Sequence, residues 1–308
     1  MESKLIEEIT RLVVERLAAE TMTSQTAEQQ PTHGGLIQLL HEQQGQTPLT
    51  TKKTENSIKW APSTVAIKQF EEVFDDKYMN ARSKTPARIG VDRAGYRPKT
   101  QTWLKFRFDH AAAVDAVYGE VDQQILQNLS LFTVKTKIED KEMYILRPDL
   151  GRRLDDASKK LIAEKCVKKP QVQIIVSNGL SASAINENLE NVYLSLVQSL
   201  KSLNYTIGTP FYIDQGRVAL MDEIGEVLEP EVIVYLIGER PGLVSADSMS
   251  AYLCYKPRIG TIESDRMVIS NIHKGGIPAV EAGAYLGTVV QRILKHEASG
   301  VKLIEKEV

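Results

Sequence analysis

One apolar run, at residues 232–237, constrains the fold of this chain more than any other stretch. Its sequence, VIVYLI, is rich in β-branched residues and shows no alternation of apolar and polar positions. Such a run is typical of a strand that is buried on both faces, as in a parallel sheet covered by helices. Gly238, Glu239 and Arg240 follow directly, and open α/β sheets bind ligands beyond the carboxyl ends of their strands. The run therefore predicts an α/β fold with a ligand site near Glu239.

The polar stretch after this run does not lead into an obvious helix, as it would in a dinucleotide-binding fold. It contains two further strand candidates, AYLCY at residues 251–255 and MVIS at residues 267–270. It ends at His273 and a Gly275-Gly276 turn. We therefore expect a long polar segment that passes around the carboxyl end of the strand at residues 232–237.

A second strand with a glycine turn is predicted at residues 172–179, where VQIIVS precedes Asn178-Gly179. A helix follows, and either Ser181 or Ser183 is its expected N-cap. The glycine spacing does not match GxGxxG, so the dinucleotide fingerprint is absent. Strands and helices alternate from about residue 171 onward, which predicts a mainly parallel, Rossmann-like sheet in the C-terminal part.

Shorter patterns predict the remaining elements of the globular part. We expect strands or extended segments at residues 131–138, 143–146, 209–213 and 216–220, and helices at residues 149–165, 222–228 and 278–295. A further helical pattern begins near Thr64. Residues 64–150 are therefore interpreted as a mainly helical region and residues 151–308 as the α/β domain.

The amino-terminal 20 residues have the pattern of an amphipathic helix, with Ile6, Ile9, Val13 and Leu17 on one face. Residues 21–63 are mostly polar and cannot bury a core, so they are interpreted as a flexible linker. An isolated helix of this length needs a partner for its apolar face. Two alternatives stay open: the helix docks on its own domain, or it is a detached docking peptide.

Composition excludes several classes of protein. The formal net charge is -2, which argues against a general nucleic-acid binder. The two cysteines, Cys166 and Cys254, form no CxxC pair, so a reducing compartment is expected. No apolar run approaches the ~20 residues that span a bilayer, and the acidic amino terminus is unlike a secretory signal. We expect a cytoplasmic protein without membrane segments.

Six cations make residues 88–107 the most basic segment of the chain. They are Arg88, Arg93, Arg97, Lys99, Lys105 and Arg107. A guanidinium binds carboxylate or phosphate through two parallel hydrogen bonds, so a site for phosphate or an acidic partner is one interpretation. The alternative is a solvated face at the start of a helix, and composition does not separate the two.

The motifs of common catalytic centres are missing from this sequence. It has no HExxH, Walker loop or cysteine cluster, and no nucleophile with a convincing base. Glu239 with His273 could form an acid–base pair, although a structural histidine is favoured at that position. The residues therefore indicate a ligand-binding α/β domain with no catalytic or metal site of its own. A stand-alone nucleotide- or flavin-binding domain and a non-catalytic scaffold remain alternatives.

Several motifs lie in the order of one known family. They are DRAGYRPKT, LRPDLGRRL, VSNGLSASAI, IGTPFYIDQGRVALMDEIGEVL, GERPG, SMSAYLCY, ESDR and ISNIHKGG. Together they resemble the small subunit of ethanolamine ammonia-lyase over roughly residues 86–303. Asp92 departs from this pattern, because family members carry glycine before Arg93-Ala94-Gly95.

The resemblance implies that the catalytic centre lies in another subunit. In that family a large subunit, a TIM barrel, performs radical deamination of ethanolamine to acetaldehyde and ammonia, and adenosylcobalamin lies between the two subunits. Val218, Glu239 and Val268 match positions of cobalamin contacts, although relatives carry cysteine where this chain has Val268. The helix at residues 1–20 is similar to the encapsulation peptides of enzymes in bacterial microcompartments, which implies shell or cargo proteins as partners.

Overall fold

The computed structural model describes residues 76–85, 88–242 and 245–307. The predicted targeting helix at residues 1–20 and the linker at residues 21–63 lie outside the described residues. So does the start of the helical pattern near Thr64.

Within the described residues, helices and strands alternate through most of the chain. The helices are α1 (Asp76–Ser83), α2 (Thr100–Tyr118), α3 (Gln123–Asn128), α4 (Lys141–Leu146), α5 (Asp156–Lys165), α6 (Ala182–Ser202), α7 (Leu220–Leu228), α8 (Ala279–His296) and α9 (Val301–Glu307). The strands are β1 (Arg93–Ala94), β2 (Arg97–Pro98), β3 (Phe132–Lys135), β4 (Val172–Ser177), β5 (Phe211–Asp214), β6 (Val232–Gly238), β7 (Met249–Tyr255) and β8 (Arg266–Ile272).

The central sheet has six strands in the order β3-β5-β4-β6-β7-β8, beside a small β1-β2 hairpin. Strands β3, β5, β4 and β6 are parallel, whereas β7 and β8 run antiparallel to their neighbours. The α/β class is confirmed. The mainly parallel, Rossmann-like sheet is not, because the sheet is mixed. A parallel neighbour for β6 would require a crossover of a dozen or more residues, and the loop between Gly238 and Met249 is shorter than that.

One face of the sheet is covered by two long helices, α6 and α8. They bury a continuous apolar core that includes Leu189, Leu196, Leu286 and Val290. The two helices approach closely because α8 presents glycine, and a Cβ on Gly283 would overlap the backbone of α6. This face is closed along the central strands.

The other face is covered only in part, by the shorter helices α5 and α7. Their apolar side chains, such as Ile162 and Ile224, pack against alternate residues of the strands, including Tyr235. On β8 the cover ends at Arg266, whose buried Nη2 donates a 2.7 Å hydrogen bond to Asp222 Oδ1 of α7. Two residues further, Val268 is 46% exposed. This end of the face is therefore open.

Three predicted elements differ from the structure, and capping explains two of them. Residues 143–146, expected to be extended, lie in α4, because the Asp140 carboxylate accepts a hydrogen bond from the Met143 amide at 2.8 Å and starts a helix. The helix expected at residues 149–165 begins at Asp156, where Asp155 caps it. Residues 216–220, predicted as a strand, form a turn that leads into α7. The strand at β6 and the helix at α8 are confirmed.

Helix α2 has few contacts with the rest of the described chain. Ala116 is its one buried residue. Five large apolar side chains on it are exposed: Trp103, Leu104, Phe108, Val114 and Tyr118. At 100° per residue they fall on one side of the helix, opposite Ala116. No helix in the described residues is long and apolar enough to cross a membrane.

Candidate functional site

The four parallel strands bring their carboxyl ends to one edge of the sheet. These ends are Lys135, Ser177, Asp214 and Gly238 on β3, β4, β5 and β6. The register pairs Lys135 with Asp214 and Ser177 with Ile213, so the strands end level with one another. Polar residues follow each end. We call this the carboxyl edge, and it is where open α/β sheets bind ligands.

Asn178 joins the ends of two strands at the carboxyl edge. Its Nδ2 donates to Asp214 Oδ1 at 3.0 Å, and its Oδ1 accepts the Gln215 amide at 2.8 Å. The Ser177 hydroxyl oxygen accepts the Gly216 amide at 3.0 Å. These bonds hold Gln215 at a positive φ of 57° in the turn after β5. The turn that carries Arg217 and Val218 is thereby fixed to β4.

Two glycines let the loops after β4 and β6 approach each other. Gly179 has a positive φ of 50°, and a side chain there would overlap the Gly238 carbonyl oxygen. That oxygen accepts the Leu180 amide at 3.1 Å. Of the two predicted capping serines, Ser181 is the N-cap of α6, and its hydroxyl accepts the Ala184 amide at 3.0 Å.

Three side chains, two from helix α4 and one from the turn after β5, form a cationic and aromatic cluster beside this edge. The Arg217 guanidinium lies 4.0 Å from the centre of the Tyr144 ring, and its Nη2 donates to the Tyr144 carbonyl at 2.7 Å. The Tyr144 hydroxyl donates to the Gly216 carbonyl at 3.0 Å. Lys141 Nζ lies 5.1 Å from the same ring. Helix α4 is thus joined to the turn after β5.

Burial dominates the electrostatics of this cluster. It lowers the pKa of Lys141, an effect that the nearby carboxylate of Asp214 opposes and the charge of Arg217 reinforces. It raises the pKa of Tyr144 to about 12, while Arg217 acts in the lowering direction and the carboxylates of Glu239 and Asp214 raise it further. Charges of both signs therefore converge on one partly desolvated region.

Glu239, the first residue after β6, is held by two contacts. Its backbone amide donates to the Ser248 carbonyl at 3.0 Å, which pins the loop. Its Oε1 accepts the hydroxyl of Tyr252 at 3.1 Å. Burial, then the charge of Glu239 and this hydrogen bond, raise the pKa of Tyr252 to about 12. The phenol therefore keeps its proton and remains a donor near neutral pH.

The two predicted apolar site residues flank the open part of the sheet face. Val268 lies on β8 directly opposite Tyr252 in the antiparallel register, so their side chains share a face. Val218 lies in the turn after β5 and packs against the core cluster that Tyr252 also contacts. Tyr252 thus touches Glu239 through its hydroxyl and neighbours Val268 through its ring.

His273 is a structural residue and not a partner of Glu239. It is 7% exposed, and its Nε2 lies 2.7 Å from Asn271 Oδ1. Its Nδ1 accepts the Gly275 amide at 3.1 Å, which makes Nε2 the donor to Asn271. Both ring nitrogens are committed to the turn after β8. The alternative acid–base pair of His273 and Glu239 is therefore not formed.

Four buried polar atoms near the carboxyl edge and β7 have no hydrogen-bond partner among the described residues. They are Gln215 Oε1, Arg217 Nε, Tyr235 Oη and Ser250 Oγ. A buried polar atom without a partner costs about 1–3 kcal/mol, so such atoms call for an explanation. Three of them are hydrogen-bond donors and one is an amide acceptor, so unpaired polar groups gather beneath this edge of the sheet.

Comparison with known proteins matches most of the chain to one family. The family model for ethanolamine ammonia-lyase light chain matches residues 75–304. An ethanolamine ammonia-lyase small subunit of Fusobacterium nucleatum is 49% identical over 228 residues, which cover 74% of this chain and 77% of that protein. One from Clostridium acetobutylicum is 46% identical and covered over 96% of its length, and one from Listeria monocytogenes is 44% identical over 256 residues.

The chain belongs to the ethanolamine ammonia-lyase light chain family. The family match begins at residue 75 and so includes α2, the whole sheet and the carboxyl edge. Within the described residues, this light chain has no cluster of histidine, cysteine or acidic residues that could hold a metal ion.

The basic segment of this light chain is partly neutralised by its own acids. Arg88 pairs with Asp109 and stacks 4.7 Å from the Phe106 ring centre. Lys99 Nζ lies 2.5 Å from Asp92 Oδ2. Asp92, the departure from the family's glycine, thus has a partner in this chain. The carboxylates of Asp109 and Asp92 thus neutralise these two cations within the chain.

Sequence reasoning missed four side chains of the candidate site in this light chain: Lys141, Tyr144, Arg217 and Tyr252. Arg217 directly precedes the predicted contact Val218. Tyr252 lies in a predicted strand, and the strand that follows it carries the predicted contact Val268. Their positions in the sequence could therefore have indicated both. Lys141 and Tyr144 carried none, because the segment was interpreted as extended and only the Asp140 cap places them in a helix.

Proposed function

We propose that this chain is the small subunit of an adenosylcobalamin-dependent ethanolamine ammonia-lyase. With a large subunit it encloses the cofactor for the radical deamination of ethanolamine to acetaldehyde and ammonia. The observation that carries this proposal is the family match over residues 75–304, which contains a carboxyl edge with converging polar groups and an adjoining apolar face.

The residues of the carboxyl edge suit a corrin better than a nucleotide. A corrin carries amide side chains around its edge and is mostly apolar on its faces, so it needs acceptors and donors beside an apolar wall. Glu239, which is only partly buried, offers the acceptor Oε2 at this edge. Val268, 46% exposed, and the ring of Tyr252 offer apolar surface.

The three predicted contacts then fill two roles, a polar one and an apolar one. Glu239 accepts hydrogen bonds from the amide edge, while Val218 and Val268 pack against the cofactor and exclude water. The bound cofactor supplies the radical through its Co–C bond, and the protein supplies placement. Placement is rigid here, because Asn178 and the Gly179–Gly238 approach fix the loops that carry these residues.

We assign cofactor binding to residues 151–308, with the parallel strands β4, β5 and β6 as a Rossmann-like part of that domain. We assign residues 64–150 to a separate, mainly helical region that precedes it. Strand β3 and helix α4 of this region also contribute to the site, since β3 pairs with β5 and Tyr144 contacts Arg217. The helical region thus supports cofactor placement from one side.

The large subunit is the partner that the exposed stripe on α2 fits. Soluble proteins seldom leave contiguous apolar patches of large side chains exposed, and interfaces are enriched in tryptophan, tyrosine and phenylalanine. Trp103, Phe108 and Tyr118 are each more than half exposed on that stripe. A chain that works only in a complex would cover this surface on assembly.

We further propose that residues 1–20 direct the enzyme to a bacterial microcompartment in the cytoplasm. The apolar stripe of Ile6, Ile9, Val13 and Leu17 requires a covering partner, and the polar residues 21–63 provide a tether. Shell proteins or other cargo would bind such a helix in a groove. Residues 1–74 precede the family match, in keeping with a role separate from catalysis.

The proposal is tested by co-expressing the chain with its large subunit in cells supplied with cobalamin. A copurified corrinoid absorbance spectrum and ethanolamine deamination by the pair, but not by either chain alone, are the expected results. A flavin spectrum would indicate a stand-alone flavin domain, and a pair without any chromophore or cobalamin dependence would indicate a scaffold. Deamination by this chain alone would also overturn the proposal.

A further inference from the structure

Tyr252 stands between two of the three proposed cofactor contacts, although it is not one of the predicted site residues. It lies in the middle of β7, opposite Tyr235 on one side and Val268 on the other. Its hydroxyl reaches over to Glu239 Oε1 at 3.1 Å. One side chain therefore contributes both to the apolar wall and to the orientation of the acceptor.

We propose that Tyr252 is a positioning residue that holds the Glu239 carboxylate so that Oε2 faces the cofactor. This inference rests on the proposed function of the carboxyl edge. Among the described residues, the Tyr252 hydroxyl is the one side-chain donor to Glu239, and it occupies Oε1 alone. Oε2 is left as an acceptor for an amide N–H at the corrin edge.

The geometry gives the phenol an advantage over a more flexible donor. A tyrosine has two side-chain torsions, and the partly buried ring of Tyr252 lies on the sheet face between its cross-strand neighbours Tyr235 and Val268. The backbone of Glu239 is fixed by its amide bond to the Ser248 carbonyl at 3.0 Å. With both ends held, the carboxylate loses little rotamer freedom when the cofactor binds, which favours affinity.

A lysine or arginine at this position would also bind Glu239, but it would neutralise the acceptor with a full charge. The phenol orients the carboxylate and leaves the negative charge in place. The raised pKa of Tyr252, about 12, means that the hydroxyl remains a donor across the working range of an enzyme near neutral pH. The contribution of Tyr252 should therefore be constant between roughly pH 6 and pH 9.

The test is a double-mutant cycle on the assembled two-subunit enzyme, read out as adenosylcobalamin affinity by absorbance titration and equilibrium dialysis. Tyr252→Phe keeps the ring and the wall but removes the donor. We expect it to weaken binding roughly threefold to tenfold, the range of a hydrogen bond of ordinary strength. Tyr255→Phe, the same change three residues along the same strand, should leave affinity unchanged.

The second arm of the cycle uses Glu239→Ala. If Tyr252 acts through Glu239, adding Tyr252→Phe to Glu239→Ala weakens binding no further. Equal effects of Tyr252→Phe in both backgrounds would overturn the positioning role while leaving Glu239 in the site. Loss of affinity that varies with pH between 6 and 9 would also overturn it. Wild-type affinity in Glu239→Ala would instead remove Glu239 from the site, and the proposed carboxyl-edge contact and this inference would fall together.

Discussion

The Arg217 guanidinium lies 4.0 Å above the centre of the Tyr144 ring, so helix α4 and the turn before α7 are joined by a cation–π contact. Val218 is the next residue of that turn. The position of a proposed cofactor contact therefore depends on a helix that lies more than 70 residues earlier in the chain. The site is assembled from distant segments, and its residues can be tested separately.

Replacing Glu239 by Ala should weaken adenosylcobalamin binding without preventing subunit assembly. The variant removes the acceptor and leaves a corrin amide unsatisfied, at a cost of about 1–3 kcal/mol. The measurement is the cofactor concentration that gives half-maximal activity, with gel filtration to follow assembly. Glu239→Gln keeps the size and one acceptor oxygen and should have the smaller effect. An enzyme with unchanged cofactor dependence would exclude a role for Glu239.

Introducing charge into the α2 stripe should weaken association with the large subunit. Trp103→Asp and Phe108→Asp each place a carboxylate where an apolar side chain would be buried, which should cost about 2 kcal/mol per residue. Neither side chain supports the described fold, because both are more than half exposed. Sedimentation or a pull-down with the large subunit measures the effect.

The matched control for α2 is Val167→Asp. Val167 is 59% exposed and lies just after α5, before the amino end of β4, away from both α2 and the carboxyl edge. This variant should assemble normally. Normal assembly of Trp103→Asp and Phe108→Asp together would place the large-subunit interface elsewhere.

Truncation to about Thr64 should separate targeting from catalysis. The shortened chain is expected to bind cobalamin and to form active enzyme with the large subunit, but not to co-localise with shells. Ile9→Glu with Val13→Glu should have the same result at full length, because it destroys the apolar face of the helix. Fluorescence microscopy of tagged enzyme measures localisation. Loss of activity on truncation would show that the helix supports the folded core.

The stability of the chain should fall between about pH 10 and pH 12 through Tyr144. Its pKa is raised to about 12, so the folded state holds the proton more tightly than the unfolded state, where the pKa is about 10. The resulting contribution is complete below about pH 10 and is lost as the pH rises to about 12. Two pKa units correspond to about 2.7 kcal/mol.

Urea unfolding at successive pH values measures this contribution, and Tyr144→Phe is the comparison. The variant loses the hydrogen bond to the Gly216 carbonyl and should be less stable at pH 8, but its stability should fall less steeply above pH 10. Identical alkaline slopes for both proteins would show that Tyr144 titrates normally in the folded state.

The sequence predicted the elements whose residue patterns are decided locally. The unbroken apolar run of β6 and the serine cap of α6 needed no knowledge of distant contacts, and both are confirmed. The direction of β7 and β8 was not decided locally, since the same strand pattern fits either orientation. What decides it is the loop between β6 and β7, which is too short for a crossover, so that β7 pairs antiparallel and the sheet is mixed.

The candidate site was predictable only where it follows a strand. Glu239 stands directly after β6, so its position at the carboxyl edge followed from the strand itself. Tyr144 and Arg217 meet through an element that was interpreted wrongly, because Asp140 converts the expected extended segment into α4. Such long-range contacts arise from the fold, and a periodic pattern in one segment carries no information about them.

The antiparallel turn after β6 also has a consequence for ligand shape. A crossover helix at this point would stand over the strand ends and leave a narrow slot, which suits a thin, elongated ligand such as a dinucleotide. Here β7 and β8 extend the sheet sideways instead, and the short helix α7 stops before reaching Val268. In this position β7 and β8 leave Val268 on an exposed part of the sheet face, with polar groups along one side. Under the proposed function, such a face suits a wide, disc-shaped molecule and leaves the upper surface of that molecule free to meet a second protein.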